Sequence, residues 1–539
     1  MKTFVLSSAG AVLLAATPML SAPVPSSSSA LIGGVRGEPV QHAVVCFSDI
    51  AHEGLKMVPV RRRVPKGPPG PLSSRRDLPV PKGAVVRMEA LGKEAALSVD
   101  MPPSPAPAAS FEALPDDVVT QPPDTHGAVG PNHLMVTLNS QIRVQDRSGR
   151  ALSTVALAQF WAQVSGGPFD PRVLYDPYAD RWITTAVGDF YRSLLVAVSR
   201  TGDPTGSWNL YKIDPAPLRV DFPNVGFNKD WIVVRGSVFT STFEYSQQVW
   251  VFGKANLYAG GSGSFTLISG EAGTPAVTLD PAVSTLYLVS NWNGNADGNG
   301  VLRLYTITGS IGSEVLTPVA FVATPNPWTN LWSEFCPQMG DPRKIVCHGG
   351  IEVVFRNGTI WVAHLIYLPA DSPTRNALQW WQLAPDGAVL QRGRLEDETG
   401  VLFYGFPSLA VNRSGDMLLG FASFSAQQFA SGSYAYRAAG DPPGTLRAER
   451  MLKAGEDVYF RGDHGNAWGD YSATVVDPVN DSDFWTIQEY AAARDPVGGY
   501  SRWGTWWARV VAEAAPVGRT PPQPPAPPPA PRSVRPRGN

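Results

Sequence analysis

Net charge is nearly absent from this chain. Its 44 Lys and Arg stand against 46 Asp and Glu, leaving −2, so it has no electrostatic footprint for nucleic acid or an anionic membrane surface. Charge of either sign is scarce, at 17% of residues, well under the usual quarter. Only three cysteines occur, Cys46, Cys336 and Cys347. So few cannot staple a chain of 539 residues, and no CxxC or Cys/His spacing offers zinc a site. Beyond the N-terminus no apolar run reaches the length of a membrane helix. A nucleophile elbow, Gly-x-Ser-x-Gly, is missing, and Gly261-Ser262-Gly263-Ser264 reads as linker.

What is abundant is turn-forming and aromatic. There are 52 Gly, 51 Pro and 16 Trp, a composition suited to many short strands joined by turns. Seven stretches share one pattern of apolar run, turn and second apolar run. They are Gly127–Asn139, Arg172–Val187, Pro223–Phe239, Ala276–Asn291, Ile351–Tyr367, Pro407–Phe424 and Ser472–Tyr490. Their turns fall near Asn132, Asp180, Asn228, Ser284, Asn357, Ser414 and Asp481. Hairpins recurring at roughly 45–75 residues predict a radial β-sheet array. The expected fold is all-β, a seven-bladed β-propeller of four-stranded antiparallel blades over 108–514. The last blade shows three strands only, so a segment from Ser110–Thr120 is expected to supply the fourth and close the ring.

The flanks read differently. Lys2 followed by the apolar Phe4–Ala16 and then small residues predicts a secretory signal over 1–30, hence a secreted protein, extracellular or periplasmic. Residues 31–107 form a basic, Pro-rich arm with one hairpin expected near Ala84–Val99. Residues 515–539 read as a disordered Pro/Arg-rich tail. Cys336 and Cys347 flank the turn-like Gly340-Asp341-Pro342 and are expected to close a small loop as a disulfide.

Several blocks carry a resemblance. They are Pro122-Pro123-Asp124-Thr125-His126-Gly127, Tyr175-Asp176-Pro177 with Arg181-Trp182, Phe406-Pro407-Ser408, and Trp468-Gly469-Asp470-Tyr471-Ser472 with Asp477-Pro478. Together they resemble an uncharacterised family of secreted bacterial β-propeller proteins, loosely termed sialidase-like or BNR-repeat-like. The resemblance implies fold and export only. The Arg-Ile-Pro block and the repeated Ser-x-Asp-x-Gly-x-x-Trp boxes of known sialidases do not occur here.

Chemistry is sought where each inner strand is entered. Five entries carry an acid: Asp124, Asp170, Asp221, Asp341 and Asp470. Converging carboxylates repel unless a hard cation such as Ca2+ binds them, an arginine pairs with them (Arg172, Arg343), or one holds a proton. The competing expectation is that each Asp caps its own turn. Catalytic candidates are Asp124, Asp470 and His464. Ligand contacts are expected from Trp292, Trp328 and Trp332 in longer loops, and from Tyr471, Arg172 and Arg343 near the mouth. No cofactor motif is present apart from these oxygen donors for Ca2+. His126 and His133 lack a third metal ligand at suitable spacing. Asn291–Asn299 lacks the closing Glu of a calcium loop. The expected function is a monomeric, non-catalytic propeller binding an extracellular glycan or protein surface. The alternatives are a sialidase-like glycoside hydrolase using the mouth carboxylates, and a cell-surface scaffold.

Overall fold

The computed structural model describes residues 31–55, 78–90, 101–118, 120–331, 333–461 and 466–513. The expected signal segment, the C-terminal tail, Trp332 and His464 lie outside the described residues.

The chain forms a β-propeller of antiparallel meanders. In chain order these span 126–156, 169–213, 219–269, 274–324, 352–396, 403–453 and 473–510. The turns form where the sequence has residues that tolerate them. Asp180, Asn357 and Asp481 sit at φ of 52, 52 and 50°, a left-handed conformation in which Asp and Asn are less penalised than branched residues. At Asn228 the side-chain carbonyl accepts from Asp230 N at 2.9 Å and Trp231 N at 2.8 Å. The Trp that follows each such turn is buried: Trp182, Trp231, Trp361 and Trp485 are at most 3% exposed, filling the space between neighbouring sheets.

The innermost strand of each meander packs beside the next. The strand from His126 neighbours that from Phe169, then those from Arg219, Thr274, Glu352 and Phe403, and the strand from Ala473 returns to His126. Closure is non-covalent, as expected. Strand Arg502–Val510 pairs antiparallel with Pro107–Pro115, which is the fourth strand of the last meander. Leu114 both donates to and accepts from Thr505 Oγ1, at 2.9 and 2.8 Å.

The N-terminal segment belts the ring. Ile32–Gly33 pairs with Val315–Leu316, Val35–Gly37 with Phe265–Leu267, and Gln41–Cys46 with Ser207–Lys212, extending three successive sheets. Val86–Met88 adds in parallel to Phe321–Ala323. The first part of the expected Ala84–Val99 hairpin thus pairs with the propeller, and residues 91–99 lie outside the described residues.

One blade entry differs from expectation. Asp341-Pro342 does not lead into an inner strand. Ser333–Gln338 and Asp341–Cys347 form a separate two-stranded hairpin, turned by Gly340 at φ 78° and closed by a Cys336–Cys347 disulfide. The inner strand begins later, at Glu352. No helix among the described residues is long and apolar enough to cross a membrane.

Candidate active site at the channel mouth

A recurring local device shapes the mouth. Where an inner strand starts, a proline cannot donate to the ladder, and the residue before it bulges out. The register shifts between Phe169 and Arg172, between Asp221 and Asn224, and between Gly405 and Ser408. The bulged residues Asp170, Phe222 and Phe406 have φ of 52, 52 and 55°. Asp124, two residues before its strand, has φ 49°. Each such conformation costs about 1–3 kcal/mol and re-aims a side chain. The strained positions therefore gather at one end of the channel.

Three of the predicted acids meet there. Carboxylate oxygens of Asp124, Asp170 and Asp470 all lie within 4.8 Å of one another. Asp124 and Asp170 are 1% and 4% exposed, while Asp470 keeps some contact with solvent. Asn139 clamps the first two. Its Nδ2 donates to Asp124 Oδ2 at 2.5 Å and to Pro122 O at 2.8 Å, and its Oδ1 accepts from Asp170 N at 2.7 Å. His348 Nε2 stands 2.9 Å from Asp470 Oδ1. Burial pushes the Asp170 carboxyl far above its usual range, and the charges of Asp124, Asp221 and Asp470 and a hydrogen bond shared with Asp124 push it further. Burial and the neighbouring charges thus favour the protonated form of Asp170.

Arg172 supplies positive charge. It is 3% exposed, pairs with Glu352 at 3.2 Å, and lies 4.1 Å over the Tyr471 ring. Tyr471 also meets Phe222 at 5.0 Å, and its buried Oη has no hydrogen-bond partner among the described residues. Burial, then the Asp170 charge, raises its hydroxyl well above the ordinary tyrosine value.

Other predicted residues are elsewhere. Asp221 adds its charge to the cluster, yet its Oδ1 accepts from Phe222 N at 3.0 Å, the capping role. Asp341 and Arg343 do not join the mouth. They pair with each other on the disulfide-closed hairpin, and Arg343 stacks 3.4 Å from the Phe460 ring. Trp328 is 0% exposed, packed against His364 at 5.2 Å, so it has no face for a ligand. Trp292 is half-buried, packs edge-on to Phe321 at 5.1 Å and donates to Leu78 O at 3.2 Å. His126 is buried and held uncharged by burial and then by Arg172. His133 lies 4.0 Å from Asp203 instead. In the 291–299 loop, Asn293 and Asn295 Oδ1 accept from the turn's own N–H groups at 2.8 and 3.2 Å.

Three residues at the mouth escaped the sequence reading: Asn139, His348 and Glu489. Glu489 is 3% exposed, and neither carboxyl oxygen has a hydrogen-bond partner among the described residues. Burial, then the charges of Asp124 and Asp116, raise it well above a normal glutamate. Ala473 pairs with Ile487, which sets Glu489 level with Tyr471 on the adjacent strand. Only that register reveals it.

Neither a protein-family model nor a curated protein matches the chain. Among solved structures, an α-L-arabinofuranosidase of Fusarium graminearum bound to an iminosugar inhibitor is 12% identical, with a TM-score of 0.33 over 63% of this chain and 92% of its own. A Penicillium chrysogenum α-L-arabinanase with arabinobiose is 8% identical, with a TM-score of 0.35 over 75% and 99%. A Synechocystis apocarotenoid oxygenase is 12% identical, with a TM-score of 0.35 over 61% and 71%. Such scores place no residue of this chain. The channel mouth, however, holds converging carboxylates, two of them buried, and burial with like charges favours the protonated form of Asp170. The expectation of a non-catalytic binding propeller is corrected on these findings.

Proposed function

We propose that the protein is a secreted glycoside hydrolase whose acid and nucleophile are carboxylates at the channel mouth. The observation that carries this is the convergence of Asp124, Asp170 and Asp470 within 4.8 Å, on a ring we read as seven-bladed. Glycosidic cleavage needs one protonated and one ionised carboxyl group flanking the bond. Asp170, whose protonated form is favoured by burial and which is hydrogen-bonded to Asp124, serves as the general acid. Asp470, at the more open edge and beside His348 Nε2, serves as the nucleophile. Arg172 holds Tyr471 in place. Retaining enzymes place their carboxyl groups about 5–5.5 Å apart and inverting ones about 6.5–9.5 Å. The close spacing here leaves no room for a water between acid and base, so the reading specifies retention of anomeric configuration.

The test is a panel of polysaccharides and aryl glycosides incubated with the purified mature protein. Release of reducing ends by wild type is expected, falling by roughly 10²–10⁴-fold in Asp170→Asn and Asp470→Asn. The disulfide supports export, since such bonds persist in oxidising compartments.

A second reading is favoured by the same oxygens. Three carboxylates at this spacing suit one Ca2+ with ligands at about 2.3–2.6 Å. On that reading Ca2+ raises the melting temperature of wild type and leaves Asp470→Asn unmoved, and EDTA reverses the gain. A melting curve indifferent to both reagents would remove the cation and leave the proton-sharing arrangement.

A further inference from the structure

Three consecutive non-glycine residues lie in the left-handed region: Asp189, Phe190 and Tyr191, at φ of 49, 55 and 71°. L residues enter that region singly, and a run persists only where surrounding contacts impose it. Here both ends of the run are anchored. The buried Tyr191 ring meets Phe169 at 4.8 Å and Phe239 at 5.7 Å, and its carbonyl accepts from Val220 N at 2.8 Å. Asp189 accepts from Gly166 N at 3.0 Å and Ser193 Oγ at 2.7 Å, and pairs with Lys212 Nζ at 2.6 Å. The residue between them, Phe190, is held outward at 57% exposure.

Phe190 stands at the rim of a cavity of about 800 Å3, between this turn and the segment 214–219. The basic residues lining it are Arg192, Lys212 and Arg219, and the acids are Asp189 and Asp214. Lys212 is engaged by Asp189, and Asp214 Oδ1 accepts from Ala216 N at 2.8 Å within its own turn. Arg192 and Arg219 make no ion pair or side-chain hydrogen bond among the described residues. Two guanidinium groups thus face a cavity with their pairing capacity unspent. The cavity lies at the same end of the ring as the carboxylates. Gly167 precedes Asp170 by three residues, a chain span of at most about 10 Å, and Arg219 precedes Asp221 by two.

We infer that this cavity is a subsite for an anionic group on the glycan, a carboxylate or a sulfate. Arg192 and Arg219 present the forked donors that match such oxyanions, and Phe190 presents an aromatic face to the sugar ring. The choice of a glycan as ligand rests on the glycosidase reading. The substrate class that follows is an acidic polysaccharide, cleaved beside its charged unit.

Calorimetric titration of the full mature protein tests this, using Asp170→Asn to prevent turnover. The probes are an oligogalacturonate, a chondroitin sulfate oligosaccharide and a neutral cello-oligosaccharide. One anionic probe is expected to bind at least ten-fold tighter than the neutral one, more weakly as salt rises, and which one it is distinguishes carboxylate from sulfate. Adding Arg192→Ala and Arg219→Ala is expected to abolish that preference without lowering the melting temperature. Should the double substitution disturb folding, Arg192→Glu alone, at an exposed position, carries the same expectation. Failure of both anionic probes to bind, equal binding of the neutral one, or unchanged binding by the arginine variants would overturn the inference. Anionic binding with no cleavage by wild type keeps the subsite and removes the glycosidase reading. Cleavage of neutral chains without anionic preference does the reverse.

Discussion

Folding favours the protonated form of Asp170 relative to the unfolded chain. Its folded value lies well above the ordinary carboxyl range because burial and then Asp124, Asp221 and Asp470 disfavour the charge. From about pH 4 upward the unfolded state therefore binds fewer protons than the native one, and stability falls as pH rises toward the folded value. Asp170→Asn has no such proton to lose. Its melting temperature should exceed that of wild type by a margin that widens between pH 4 and pH 8, at a slope of at most about 1.4 kcal/mol per pH unit. Thermal unfolding across that range checks it, and a constant or narrowing margin would count against a protonated Asp170. The same substitution is expected to silence hydrolysis, the usual conflict between a strained site and stability. At this scale the sequence was informative where chemistry and backbone coincide. An acid at a strand entry marked Asp124, Asp170 and Asp470. It misled at Asp341, because a Gly-Asp-Pro turn looks alike whether it leads into an inner strand or tips a hairpin. It was silent on Glu489, which looks like any strand residue until the pairing of Ala473 with Ile487 is known.

Among the elements, the entry bulges and the closing strand have the clearest consequences. The prolines at 171, 223 and 407 are plain in the sequence, but neither the break in the ladder nor the positive φ at Asp170, Phe222 and Phe406 was read from them. The closing strand was legible as a deficit, three strands where four are needed, and the structure supplies it from Pro107–Pro115. A chain beginning at residue 116 would expose the Arg502–Val510 edge and lose both Thr505 bonds to Leu114. We expect it to melt at least about 5 °C lower and to self-associate, since a bare edge templates pairing. Light scattering and thermal unfolding read both effects, and a monomer of unchanged stability would deny the strand its closing role. The loop tryptophans were misjudged at this level. Trp328 is a packing residue, buried against His364, and Trp292 is half-buried and tied to the N-terminal segment through Leu78 O.

The whole molecule places its chemistry by closing on itself. Inner strands from successive meanders bring Asp124, Asp170, Asp470, Glu352 and Tyr471 together from positions hundreds of residues apart. Periodicity revealed the meanders, since hairpin spacing is a local property. Which side chains meet at the axis depends on register and on bulges, which no local pattern encodes. The N-terminal belt was invisible for a similar reason: a Pro-rich, basic composition conceals short strands whose partners lie far along the chain. The central claim is that the converged carboxylates cleave glycans with retention. Proton NMR of the anomeric signals during digestion tests it most directly. Wild type should release product of the same anomeric configuration as the substrate, with release by Asp470→Asn slowed by roughly 10²–10⁴-fold. Initial release of the opposite anomer, or cleavage by Asp470→Asn at the wild-type rate, would contradict it.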